Sequence, residues 1–414
     1  MKRRTVSFAG RRRVLGLLMG SAAVLGACGG DPGGPRMARR EDQDEEFSRF
    51  SARGYDPAVS ASAISHREVW PHGDDEITLN FLIPQIGRPS PLVIYLPGLG
   101  ESADAGESWR QAWAHAGYAV VAAQTTSGTR LWSSERARNG DFKRVAQEQF
   151  SARELSKRVD VVTSVLAGIS RRARSADGVF ERIDATKWAV AGFDLGAQTA
   201  MALAGEKDAA IALPRPPDSL RAVVAISPLA FLAKGGFAER FGDIRSPVLS
   251  ITATEDEDPS GLVESPYSRQ APFKYMPQGG KYLLVLEDAT HQVLAGSSNG
   301  DPRLPEAVSP DETSGLPGGP SGPYPRFGGG MGGPMGSPGG MGGMPGRDGP
   351  PPGMGDKRGM DKRAARALQR QLLIVQRISV AFLDATVKGD SVAREWLERD
   401  AERWSDPLAR FSLK

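Results

Sequence analysis

The 414-residue sequence predicts an α/β protein with a mostly parallel central sheet and helices on both faces. Two observations carry that prediction. Between residues 66 and 297, short β-rich apolar runs alternate with stretches of helical character. One of those runs, Trp188 to Ala191, turns through Gly192-Phe193-Asp194-Leu195-Gly196 directly into a helical segment, Gln198 to Glu206.

The chain opens with Lys2, Arg3, Arg4, Arg11, Arg12 and Arg13 and no acid, then runs apolar from Val14 to Ala27 and stops at Cys28. Charge, length and order are those of an export signal. The apolar run falls short of the roughly 20 residues a spanning helix needs. Leu25-Gly26-Ala27-Cys28 resembles the bacterial lipobox, whose small residues let a signal peptidase cut before a cysteine that receives diacylglycerol. Cys28 is the only cysteine, so no internal disulfide is available; interchain pairing and a free thiol are its other readings. Arg11-Arg12-Arg13-Val14-Leu15 also resembles a twin-arginine signal, which implies export already folded. Loss of residues 1–27 takes six positive charges from a formal net of +3 and leaves −3. Neither a nucleic-acid nor an acidic-membrane partner is implied for the mature chain. The expectation is a protein of the bacterial cell envelope, anchored to a membrane through lipid on Cys28 and facing the periplasm or exterior.

Residues 28–65 are rich in Gly, Pro, Arg, Asp, Glu and Ser, and are expected to form a flexible tether. The core, 66–297, contains the expected strands Ile77 to Ile83, Leu92 to Leu96, Tyr118 to Ala123, Trp188 to Ala191, Leu220 to Ile226, Val248 to Thr252 and Tyr282 to Leu286. From 298 to 361 the chain becomes Gly, Pro and Met, a bias expected of a disordered insertion. Met331, Met335, Met341 and Met344 are soft sulfur donors of the kind copper(I) favours, although a plain spacer whose Met content is incidental is the preferred reading. Leu368, Leu372, Val375, Ile378 and Phe382 then recur at helical spacing, so residues 362–414 are expected to be helices that complete the core.

A strand, a Gly-x-Asp-x-Gly turn and a helix in succession match the nucleophile elbow of the α/β-hydrolase fold, where the reactive residue sits on a strained turn and the flanking glycines let strand and helix approach. Within that superfamily the chain resembles the bacterial dienelactone-hydrolase-like and platelet-activating-factor-acetylhydrolase-like proteins. The resemblance rests on Leu92-Val93-Ile94-Tyr95-Leu96-Pro97-Gly98-Leu99-Gly100-Glu101-Ser102, on Ala114-His115-Ala116-Gly117-Tyr118, on Arg158-Val159-Asp160-Val161, and on the C-terminal segments Phe382 to Ala385 and Ala393 to Leu397. It implies Asp256, after the strand Val248 to Thr252, as the orienting acid, with Glu255, Glu257 and Asp258 as competitors. It implies His291, after the next strand, as the base, and the backbone N–H groups of Leu99 and Leu195 as oxyanion donors. No cofactor, metal or large cap domain is implied.

The departure from the family lies at the elbow, where Asp194 stands in place of serine or cysteine and Phe193 in place of the common histidine. A carboxylate attacks saturated carbon to give an ester that a His-activated water then hydrolyses, the chemistry of haloalkane dehalogenases and epoxide hydrolases on this fold. Attack on an ester carbonyl gives a mixed anhydride, so Asp194 argues against ordinary esterase action. The halide-binding Trp of dehalogenases is replaced by Leu195. Only Ser227 to Pro247 separates the expected strands Leu220 to Ile226 and Val248 to Thr252, too little for the cap of epoxide hydrolases. Two readings remain: a hydrolase of small ester-like or other electrophilic substrates using Asp194, Asp256 and His291, or a binding or scaffolding lipoprotein whose chemistry has lapsed.

Overall fold

Which strands read as continuous apolar runs and which alternate is set by where each lies in one nine-stranded sheet. The computed structural model describes residues 45–231, 236–296 and 354–414, with side chains of the last stretch from 364 onward. Cys28 and the Gly/Pro/Met-rich stretch as far as residue 353 lie outside the described residues. Residues 45–48 are helical and belong to a separate unit from Arg49–Lys414, which carries everything that follows.

The strands are β1 (Ala63–His72), β2 (Asp75–Pro84), β3 (Ser90–Leu96), β4 (Ala119–Thr125), β5 (Ile183–Phe193), β6 (Leu220–Ile226), β7 (Val248–Glu255), β8 (Lys281–Thr290) and β9 (Ala409–Leu413), in the order β1-β2-β4-β3-β5-β6-β7-β8-β9. From β4 across to β8 every pairing is parallel, while β1, β2 and β9 join antiparallel at the two margins. The sheet is therefore mixed and mostly parallel, and the protein is of the α/β class. β3 connects to its neighbour on one side and β5 continues to the other. Their carboxyl ends thus flank the point where the strand order reverses, and loops diverge there to open a crevice.

Successive side chains of a strand point to opposite faces. In β3, Val93 and Tyr95 join one buried cluster, with Trp109 and Trp113 of helix α1 (Glu107–His115) and Ile378 and Phe382 from the C-terminal part of the chain. Leu92 and Ile94 join the other, with Leu155, Val159, Val162, Val165 and Ile169 of α2 (Ala152–Arg174) and Met201 of α3 (Leu195–Leu203). Both faces are covered by helices, as expected. α2 is capped at its start by Ser151, whose Oγ accepts the Glu154 N–H at 3.4 Å. A four-residue helix, α4 (His291–Leu294), follows β8 directly. At the C-terminal end come α5 (Met354–Leu383), α6 (Ser391–Arg399) and α7 (Ala401–Ser405). Among the described residues no helix is long and apolar enough to cross a membrane.

Packing begins earlier in the chain than the expected tether boundary at residue 65. Phe50 stacks on Trp404 with ring centroids 4.8 Å apart. Tyr55 donates to Asp384 Oδ2 at 2.8 Å, Tyr118 donates to Oδ1 at 2.7 Å, and Lys388 Nζ lies 2.7 Å from the same oxygen. A buried carboxylate is thereby supplied with two phenols and an ammonium, joining residue 55 to the C-terminal helices. The long C-terminal helix in turn starts at Met354, within the stretch expected to be insertion. β1 and β9 were not foreseen either.

Candidate active site

β5 carries small buried residues, Ala189, Val190, Ala191 and Gly192, because α3 packs close against its end. The strand stops at Asp194, whose backbone has φ 50° and ψ −108°. A non-glycine residue held there stores about 1–3 kcal/mol of strain. Neither flanking glycine has room for a side chain. A Cβ on Gly192 would lie 2.2 Å from the Gly196 carbonyl carbon, and a Cβ on Gly196 would lie 2.0 Å from the Leu96 oxygen. The Asp194 N–H donates to the Ile226 carbonyl at 3.0 Å, and the Asp194 carbonyl accepts from Gln198 at 3.1 Å, so the turn is fixed at both ends. Leu195 opens the helix, where first-turn N–H groups have no partner within the helix.

The Asp194 side chain is only 7% exposed. Its one hydrogen bond among the described residues comes from the Leu99 N–H to Oδ2 at 3.4 Å, and it has no ion-pair partner there. Burial raises its pKa, and the nearby Asp258 charge acts the same way; His291, Arg269 and the Leu99 amide oppose them without cancelling the shift. One residue earlier in the same loop, the Gly98 N–H donates to Glu101 Oε2 at 2.7 Å. Two consecutive amides thus each hold a carboxyl oxygen. The Glu101 pKa is pushed up to about 7, chiefly by burial and further by the Asp194 charge, against the Gly98 bond and His291.

After β7 and β8 come Asp256 and His291. His291 Nδ1 lies 2.7 Å from Asp256 Oδ1, and Ser227 Oγ donates to the same oxygen at 2.8 Å while lying 3.0 Å from Nδ1. Thr252 donates to Asp256 Oδ2 at 2.7 Å. Arg269, with no solvent exposure, places Nε 3.3 Å from Oδ1, and donates from Nε to the Asp256 carbonyl and from Nη1 to the Ser227 carbonyl, both at 3.0 Å. Burial pushes the Asp256 pKa upward, but the Arg269 charge and the bonds from His291 and Thr252 outweigh it and hold the group below the usual carboxylate range. Among the four candidate acids only Asp256 meets His291. Asp258 turns onto the backbone amides of Ser260, Leu262 and Val263.

Asp194 and His291 line one cavity of about 220 Å³ without bonding each other. Its other walls are Leu99, Trp132, Phe142, Phe193, Pro259, Ser260, Gln292 and Ala295. The Phe193 ring packs 4.8 Å from the His291 ring, centroid to centroid. Trp132 and Phe142 come from a run of short helices, Thr126 to Gln149, between β4 and α2. A larger cavity of about 710 Å³ includes Leu195 and Arg158 in its lining but neither Asp194 nor His291, so size does not mark the chemistry. Among the described residues, no group of three or more His, Cys, Asp or Glu is placed to hold a metal ion.

No protein-family model matches the chain, and a search among curated proteins also found no match. The geometry stands on its own. It places Asp194, Leu99, Asp256 and His291, all singled out in the sequence, close to one another, and sets Ser227, Arg269, Glu101, Trp132 and Phe142 beside them. Ser227 had a sequence signal, since it follows β6 immediately as Asp194 follows β5; in the structure both residues have a positive φ, 53° and 50°.

Proposed function

We propose that the chain is an envelope lipoprotein with an α/β-hydrolase fold, related to the dienelactone-hydrolase-like group, that hydrolyses a small electrophile through an alkyl ester on Asp194. The reading is supported above all by the Leu99 bond to Asp194 at a strained elbow: one carboxylate oxygen is held by a backbone amide, and the residue lines the cavity. The order elbow, acid after β7 and histidine after β8 supports it too.

In this mechanism Asp194 Oδ1 attacks a saturated carbon, the bond to the leaving group breaks with its electron pair, and an ester forms. His291, its Nδ1 side held by Asp256, then takes a proton from water through Nε2. Asp194 and His291 line the same cavity without bonding each other, and the mechanism places that water between them. Attack on the ester carbonyl carbon places negative charge on Oδ2, already at the Leu99 amide and near the start of α3. Collapse releases an alcohol, and the carboxylate is restored with one oxygen derived from water.

His291→Gln should block the second step and leave the alkylated enzyme to accumulate. Peptide mass spectrometry after exposure to a panel of small alkyl electrophiles should find the added mass on Asp194; no adduct from any of them removes the nucleophile assignment. A second reading, a binding protein with lapsed chemistry, draws on the upward-shifted Asp194 pKa, which favours the non-nucleophilic acid form. The same experiment separates the two.

A further inference from the structure

We infer that the Asp194 cavity recognises a small organic cation, a quaternary ammonium or sulfonium group, as the substrate class of the proposed reaction. The word substrate rests on the reading of Asp194 as nucleophile; the binding itself does not.

Three aromatic rings, Trp132, Phe142 and Phe193, line the cavity, and Trp132 and Phe142 meet edge to face at 6.0 Å. Aromatic faces attract desolvated cations, and quaternary ammonium groups are the ligands they recognise best. The remaining walls are apolar or neutral apart from Asp194 and His291, with no Lys or Arg. Asp194 is a buried carboxyl with no ion-pair partner among the described residues and a single long hydrogen bond. A buried charge without a partner is costly. A cation in the cavity supplies that partner.

The surrounding charges agree. Asp194, Glu101, Asp256 and Asp258 interact electrostatically around the site, with His291 and the guanidiniums of Arg269 and Arg158. Arg269 is tied to Asp256. Arg158 lies outside this cavity, bonded to Thr199, the Gln149 carbonyl and Gln198. Carboxyls therefore outnumber guanidiniums, and no Lys or Arg lines the cavity. An anionic leaving group suits such a place poorly. A sulfonium suits it well: as Asp194 attacks the adjacent carbon, the C–S bond breaks with its electron pair passing to sulfur, and a neutral thioether departs. A volume of about 220 Å³ limits the ligand to one smaller than those filling the usual 300–1,000 Å³ pockets.

Choline and its uncharged carbon isostere, 3,3-dimethyl-1-butanol, differ in charge and little in shape. Calorimetric titration of the intact protein should show choline bound about tenfold or more tightly than the isostere. Asp194→Asn and, separately, Trp132→Leu should each erase most of that preference. Equal binding of the two, binding of neither at tens of millimolar, or a preference unchanged in both variants overturns the inference. Alkyl adducts on His291→Gln without a cation preference leave the nucleophile reading standing and sink this one. A cation preference without adducts does the reverse.

Discussion

Arg269 Nε lies 3.3 Å from Asp256 Oδ1, and neither side chain has any exposure to solvent. A buried pair of this kind is weak evidence of stabilisation, but removal of one partner strands the other charge. Arg269→Met should therefore cost about 3–5 kcal/mol at neutral pH, measured by urea unfolding. Asp256 has a depressed pKa, so its contribution is present above the ordinary carboxylate range and lost as pH falls through the folded value. The deficit of the variant should accordingly shrink in acid. A deficit independent of pH would show that Arg269 acts by packing alone.

Glu101 titrates in the opposite sense. Its pKa is raised from 4.5 to about 7, so the folded state holds a proton that the unfolded chain has released. Stability is then full below 4.5 and declines as pH rises through 7, by about 3 kcal/mol at 1.36 kcal/mol per unit. Glu101→Gln keeps an oxygen for the Gly98 amide and has nothing to titrate. It should be more stable than the parent at pH 8 and nearly equal at pH 4, by chemical denaturation at both values. Equal stability at pH 8 removes the claim that this carboxyl is destabilised by ionisation.

The strands buried on both faces were legible because such strands need an apolar residue at every position: Leu92 to Leu96 and Ala222 to Ile226 could hardly be anything else. β1 escaped because it lies at the sheet margin and alternates, with Ser65, Arg67 and Pro71 among its ten residues, and β9 because it has only five. Asp194, Asp256 and His291 were readable because each directly follows a strand. Arg269 was not: it lies in an unremarkable polar stretch, and only the folding of Ser265 to Gln270 against β7 brings it under Asp256. Trp132 and Phe142 sit among so many charged residues that their segment reads as surface helix until tertiary packing places both rings over the elbow.

The lipid anchor is a separate expectation, since Cys28 lies outside the described residues. Cys28 is the only thiol in the chain, and no other side chain accepts a diacylglycerol thioether. Cys28→Ala should move the protein from the detergent phase to the aqueous phase on phase partitioning and abolish labelling by a fatty-acid probe. Labelling that persists in the variant removes the lipoprotein assignment.

The last prediction concerns the elbow. In the parent the Leu99 amide is engaged by Asp194 Oδ2, where an ester substrate would need to place its carbonyl oxygen. Asp194→Ser removes that carboxylate, frees the amide for a developing oxyanion and supplies a hydroxyl on the same strained turn. The glycines that shape the turn are untouched, and the His291–Asp256 pair remains to orient a base. The variant should hydrolyse nitrophenyl acetate at least about tenfold faster than the parent, a modest share of what general-base catalysis can contribute. A further His291→Ala change should abolish the gain, and the single variant should no longer form alkyl esters at position 194. If instead the parent hydrolyses the ester through His291 and the serine variant shows no gain, then Asp194 supports acyl transfer itself, and the restriction to attack on saturated carbon is wrong.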